Sequence, residues 1–246
     1  MIRLSVNVNK VATLRNSRGG RVPRVLEAVD ECLAAGAPGI TVHPRADERH
    51  IKPNDVRDIA RALTGRDPHI ELNIEGDPRA DLLELVREVH PDQCTLVPVV
   101  PGEITSHAGW RPGPASERIP GIVSDLKSRG IRVSVFVDPV SDSIEWAARA
   151  GADRVELYTE PYARACEAGP EQARRSFDTY AAAAKLAAAR GLGVNAGHDL
   201  DLQNLMLFRT LPHLDEVSIG HAIISRALFV GLSRVVREYL EVLAES

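Results

Sequence analysis

ARAGADRVEL (Ala148–Leu157) is the stretch on which the fold turns. Its first half is helix-forming, its glycine is a stop, and RVEL opens a strand-like run. The same grammar of helix end, glycine turn and strand recurs in AAGAPGITV (Ala34–Val42) and AARGLGVNA (Ala188–Ala196). It is the helix-to-strand connection of a repeating βα unit. Outward from these, short β-branched runs punctuate the whole chain: LSVNV (Leu4–Val8), GITVH (Gly39–His43), IELNIE (Ile70–Glu75), CTLVPV (Cys94–Val99), RVSVFVD (Arg132–Asp138), RVELYT (Arg154–Thr159), GVNAGH (Gly193–His198) and EVSIGH (Glu216–His221). Each has the usual strand length. Several are apolar at both parities, as expected of strands buried on both faces.

Between the runs lie segments of helical period. Val22, Val25, Leu26, Val29 and Leu33 follow the i, i+3, i+4, i+7 rule, with Pro23 near the start and Gly36 past the end. Leu82 to Val89, Ile122 to Leu126 and the alanine-rich Ala181–Gly191 give further helices. Eight strands alternating with helices over 246 residues are the count and size of a (β/α)8 TIM barrel. A doubly wound open sheet is the competitor, but it wants a Gly-rich phosphate loop after the first strand, and NVNKVATLRN has none. The expectation is an α/β chain, residues 1–246 forming a single TIM-barrel catalytic domain with additional short helices.

Composition narrows the function. With 44% hydrophobic and 26% charged residues the chain reads as globular, and a net charge of −4 argues against nucleic-acid binding. Three scattered cysteines without a CxxC pair fit a reducing compartment, and no apolar run is long enough to span a membrane, so the expected address is the cytoplasm. Only four lysines occur, and of these Lys10 alone stands near a strand exit, as a Schiff-base lysine would have to.

In a barrel of this kind the chemistry sits where strands end and βα loops begin. The strand exits here carry Asn7 and Asn9, His43 with Arg45, Glu75, Thr105 after a longer loop, Asp138, Glu156 with Tyr158, Asn195 and His198, and Gly220 with His221. Histidines and carboxyls converging from different strands suit proton transfer, because imidazole titrates near neutrality and a buried Glu can be tuned upward. The same side chains are metal ligands, which leaves a metal-dependent sugar-phosphate epimerase or isomerase open, although no HxH or HExxH spacing supports it. A silent barrel that only binds a phosphorylated metabolite is the reading from another class. Gly220, leading straight into HAIISRAL, places a helix N-terminus at the barrel mouth for an anion. RNSRGGR (Arg15–Arg21) reads as a flexible arginine clamp on a second one.

The stretches VNVNKVATLRNSRGG, GITVHPRADERHI, LNIEG, TLVPVVPGEITS, GIRVSVFVD, GADRVELYTEPYA, LGVNAGHDL and EVSIGHAIISRALFVGL resemble, in order and over nearly the whole chain, the pyridoxine 5′-phosphate synthase family of vitamin B6 biosynthesis. The resemblance implies a barrel enzyme that assembles into homo-oligomers up to an octamer. It implies condensation of 1-deoxy-D-xylulose 5-phosphate with 3-amino-2-oxopropyl phosphate, without an organic cofactor or a redox step. By position, His43 and Glu75 match the family's proton acceptors, His198 its proton donor, and Glu156 a carboxylate that stabilises the transition state. Arg45, His50 and Thr105 match residues that hold the sugar phosphate; Asn7, Arg18, Gly220 and His221 match those that hold the aminoketone phosphate. Two departures stand out. Asn9-Lys10 replaces the Asp-His pair that many members place against the sugar phosphate, and Asp199 replaces a glycine after NAGH.

Overall fold

A computed structural model describes residues 1–66, 68–98 and 108–244. Eight parallel strands, β1 (Arg3–Asn7), β2 (Gly39–Val42), β3 (Glu71–Gly76), β4 (Gln93–Leu96), β5 (Arg132–Val137), β6 (Arg154–Tyr158), β7 (Gly193–Gly197) and β8 (Leu214–Ile219), pair in sequence order, and β8 returns to β1 to close the barrel. Every strand expected from the sequence is present; four begin at the expected residue, and no end is shifted by more than three residues. Gly151, in the stretch that opened the reading, turns the chain from helix into β6 at φ +79°, a conformation that L side chains resist.

Helices α1 (Asn9–Asn16), α2 (Val25–Ala34), α3 (Pro53–Leu63), α4 (Ala80–Val89), α5 (Ile119–Ser128), α6 (Ser141–Arg149), α7 (Glu160–Ala168), α8 (Pro170–Ala189), α9 (Leu205–Phe208), α10 (His221–Val230) and α11 (Leu232–Ala244) surround it. Among the described residues, three connections carry more than one helix of two turns or longer: α1 precedes α2, α7 precedes α8, and α10 precedes α11. These are the additional helices. α1 and α10 begin almost at the ends of β1 and β8, so both bring side chains to the barrel mouth.

The strands do not read as apolar on both parities; they alternate. Leu4, Val6, Ile40, Val42, Leu72, Ile74, Val133, Val135, Val155, Leu157, Val217 and Ile219 face outward into the helices and are nearly or wholly buried there. Each such side chain contributes about 1.5–3 kcal/mol relative to exposure. The opposite parity is mostly polar, Phe136 being an exception at the mouth. At mid-depth Ser5 Oγ meets Thr41 Oγ1 at 2.6 Å, Asn73 donates to Thr41 Oγ1 at 3.3 Å, and Thr95 donates to Asn73 at 3.0 Å. Deeper, Arg3 and Arg132 both donate to Glu71, and Arg132 Nε donates to Gln93 Oε1 at 2.9 Å. Barrels usually fill this space with branched apolar residues; here hydrogen-bonded polar side chains fill it.

Candidate active site

The C-terminal ends of the strands enclose a cavity of about 410 Å³, in the range of small-molecule sites. His43 follows β2, Glu75 lies near the end of β3, Glu156 lies within β6 and His198 follows β7, and all four line the cavity.

Asn9 organises the β2 side. Its own N–H donates to Asn7 Oδ1 at 3.0 Å, and its Oδ1 accepts the backbone N–H of His43 at 2.9 Å. The side chain thus fixes the loop that aims the imidazole. His43 Nε2 is buried and finds no hydrogen-bond partner among the described residues. Burial, reinforced by His50, Arg45, Arg79 and His198, holds this imidazole well below its ordinary pKa, so it is neutral at pH 7 and able to accept a proton. His50 is pushed down to about 4, first by burial and then by Arg45. Its Nδ1 accepts the N–H of Ile51 at 2.9 Å, which places its proton on Nε2. Lys10, Arg45 and Arg49 form a cationic corner of the cavity, with the neutral His50 among them.

The carboxyls behave differently. Glu75 Oε1 accepts from Ser218 Oγ at 3.3 Å and its Oε2 accepts from Asn7 Nδ2 at 3.4 Å. Burial and the charge of Glu216 push Glu75 up to about 7 against the pull of the Ser218 hydrogen bond. Glu156 is raised well above a normal carboxyl, chiefly by burial and then by Glu75 and Glu216. Like charges confined in one polar column do not all ionise together.

His198 packs against the rings of Phe136 and Tyr158, with centroids at 5.3 and 5.4 Å, and those two rings meet each other at 5.3 Å, so the three form a triangle. Its backbone φ is +84° and that of Asp199 is +54°. The glycine that many family members place after NAGH thus corresponds to a left-handed position, which an Asp tolerates better than most residues. Asn204 Nδ2 holds the Asp199 carbonyl at 2.9 Å. Gly220 precedes α10 and, with His221, lines the side of the cavity next to Asn7. Its φ is −126°, so it is not a positive-φ turn. A Cβ there would stand 2.9 Å from the Asn7 Cβ and carbonyl oxygen, and close approach is the reason for the glycine.

The cavity therefore gathers Asn7, Asn9, Lys10, His43, Arg45, His50, Glu75, Glu156, His198, Asp199, Gly220 and His221. Thr105 lies outside the described residues. Arg18 is not brought in: it is exposed in the turn after α1 and does not line the cavity. The three-arginine clamp also needs correction. Arg15 is the last turn of α1 and makes a two-pronged ion pair with Asp55 at 2.5 and 2.9 Å, while Arg21 is exposed. Arg15 is a tie between α1 and α3, because Asp55 also accepts the backbone N–H of Lys52 at 2.8 Å.

Sequence reasoning missed Ser218, Arg49, Phe136 and Thr13, which line the same cavity. Ser218 and Phe136 share the inward parity of the catalytic strands, a signal available only once the barrel's inside is known to be polar. A neighbouring cavity of about 610 Å³ shares Asp199, His221 and Ala222 but is otherwise walled by Glu160, Glu167 and Asp201 against Arg164. That lining is poorly suited to a phosphate.

Fold and site define an α/β-barrel enzyme with acid–base side chains at the strand exits. A profile of the family described as "Pyridoxal phosphate biosynthesis protein PdxJ" matches residues 4–245. Pyridoxine 5′-phosphate synthase of Porphyromonas gingivalis is 49% identical over 99% of this chain and 100% of its own length. That of Cytophaga hutchinsonii is 52% identical over 98% of both chains. A solved phosphoribosyl anthranilate isomerase from Thermotoga maritima superposes with a TM-score of 0.63 over 100% of both chains at 14% identity, a likeness of fold alone. The chain belongs to the PdxJ family of pyridoxal phosphate biosynthesis proteins.

Proposed function

We propose that this chain is a pyridoxine 5′-phosphate synthase, joining 1-deoxy-D-xylulose 5-phosphate to 3-amino-2-oxopropyl phosphate with release of phosphate and water. The observation that carries the reading is the convergence of His43, Glu75, Glu156 and His198 from four strands on one cavity that also has a cationic corner.

The chemistry needs several proton positions. Condensation of the amine with the sugar ketone expels water and needs an acid beside the departing hydroxyl. Loss of the sugar phosphate, ring closure and aromatisation need protons removed from carbon and a further dehydration. Groups on different strands serve different positions around the growing ring, and each such group is worth typically about 10²–10⁴-fold. His43, held neutral, acts as a base. Glu75, with a pKa of about 7, exchanges protons in either direction at neutral pH. Glu156, held protonated, offers a hydrogen bond to developing negative charge. His198, packed against the rings of Phe136 and Tyr158, is the proton donor. The corner of Lys10, Arg45, Arg49 and His50 takes the sugar phosphate. Gly220 and His221 at the start of α10, with Asn7, take the aminoketone phosphate. Two grips on two substrates supply the positioning that a bimolecular condensation lacks.

We assign residues 1–246 to one catalytic domain that works in the cytoplasm. Cys32, Cys94 and Cys166 are free thiols, and no helix among the described residues is long and apolar enough to cross a membrane. We also assign it to a homo-oligomer. Leu228 and Phe229 at the end of α10 are 69% and 88% exposed, an apolar surface that a second copy would cover.

The test is direct. Purified protein mixed with both phosphorylated substrates should develop the absorbance and fluorescence of a pyridinol ring, with one inorganic phosphate per ring. Absence of the chromophore, or turnover of one substrate without the other, would overturn the reading.

A further inference from the structure

Glu216 is a buried carboxyl, 3% exposed, that the chemistry above does not use. A bulge between β7 and β8 places it: Val194 pairs with Leu214, but the next residue, Asn195, pairs with Glu216. The residue passed over, Asp215, lies outside, where its carboxylate accepts the Val194 N–H at 2.9 Å. Bulges re-aim side chains in this way. Asn195 is also the register partner of Glu156 on β6, so a single strand separates the two carboxyls.

The cations around Glu216 are already engaged. Arg3 and Arg132 donate to Glu71, and Arg154 donates to Asn195 Oδ1 at 2.8 Å. Glu216 itself accepts from Asn195 Nδ2 at 3.3 Å, and no ion pair within 4 Å reaches it among the described residues. The charged or titratable groups facing it are Arg3 on β1, Glu71 and Glu75 on β3, Arg132 on β5, and Arg154 and Glu156 on β6; β2, β4 and β7 present the neutral Thr41, Gln93 and Asn195. Glu75, Glu156 and Glu216 thus form one buried acidic cluster inside the barrel.

We propose that Glu216 is a positioning residue for the reaction: seated beneath the cavity by the bulge and one strand away from Glu156, its carboxylate adds to burial in biasing where Glu156 and Glu75 hold their protons. It touches no substrate. The proposal rests on the acid–base reading of Glu75 and Glu156 given above. The bulge is the device that brings a carboxylate under the active site without letting it enter the cavity.

The pH dependence of kcat/KM reports essential groups of the free enzyme. Glu216→Gln removes the charge, and the new amide oxygen can still accept from Asn195. The acid limb should then move to lower pH by at least about half a unit, while Glu216→Asp leaves it near the wild-type position. A Gln variant that loses rate with an unmoved limb would show a structural role and overturn the proposal. A second measurement avoids any Glu216 variant. In ¹³C-labelled protein the Glu216 carboxyl should titrate at lower pH in Glu75→Gln than in wild type, because coupling is reciprocal; an unchanged midpoint would also overturn it. Failure of the functional reading is separately visible, since wild type would then make no pyridinol while the carboxyl coupling remained measurable.

Discussion

An oxygen of Glu156 lies 2.4 Å from the point where a Cβ on Gly197 would stand. The glycine of the NAGH segment is therefore a space for a carboxyl rather than a flexible turn, and β7 is shaped around the acid on β6. Gly197→Ala should displace the Glu156 side chain and lower kcat at least about tenfold, with circular dichroism still showing a folded barrel. Full activity in this variant would mean that Glu156 need not sit where it does.

Glu75→Gln removes a proton carrier while keeping its bulk. Turnover with both substrates should fall by about 10²–10⁴-fold with KM little changed, as steady-state kinetics would show. The same change should stabilise the protein at alkaline pH. The folded pKa of Glu75, about 7, lies above that of an unfolded glutamate. Folding therefore favours its protonated form, and stability is lost as pH rises from the unfolded value through the folded one. The advantage of the Gln variant should grow over that window to about 3 kcal/mol and vanish near pH 4, as denaturant titrations at pH 4 and pH 8 would show.

The Arg15–Asp55 pair holds α1, and α1 carries Lys10 and Thr13 to the cavity. Asp55→Ala leaves a partly buried guanidinium unpaired and should cost about 1.5–3 kcal/mol. Because α1 loosens rather than the acid–base set, KM for the sugar phosphate should rise more than kcat falls. Arg18→Ala tests a different point. Arg18 is exposed and outside the cavity, so an unaltered KM for the aminoketone phosphate is expected from this geometry, whereas a large rise would show that substrate draws the turn inward.

Leu228 and Phe229 are apolar yet exposed, although the rest of α10 packs against α11 and α1. Replacing both with Glu should reduce the assembly seen by size-exclusion chromatography with light scattering, while the barrel itself stays folded. An assembly of unchanged mass would remove this helix end from the interface.

Much of the architecture was legible in the residues alone. Runs such as RVEL and GITV, each delivered by a glycine after a helix, mark strand after helix because local propensity and turn chemistry act over a few residues. The same locality made strand exits predictable, and with them His43, Glu75, Glu156 and His198. Parity was misread: VSVFV is apolar at four of its five positions, and only closure of the sheet shows that Ser134 and Phe136 face in while Val133, Val135 and Val137 face out. Arg15 looked like an anion clamp because it opens the segment RNSRGGR; its partner, Asp55, lies forty residues away.

What the sequence determined unaided is the alternation of elements, the residue types at each strand end, and the family likeness that those residues carry. What only the tertiary structure decided is which groups share a dielectric. Glu75, Glu156 and Glu216 come from β3, β6 and β8, and nothing in their spacing couples them. Proton affinity depends on burial and on charges a few ångströms away through space, and the closing of β8 onto β1, with one bulge, sets those distances.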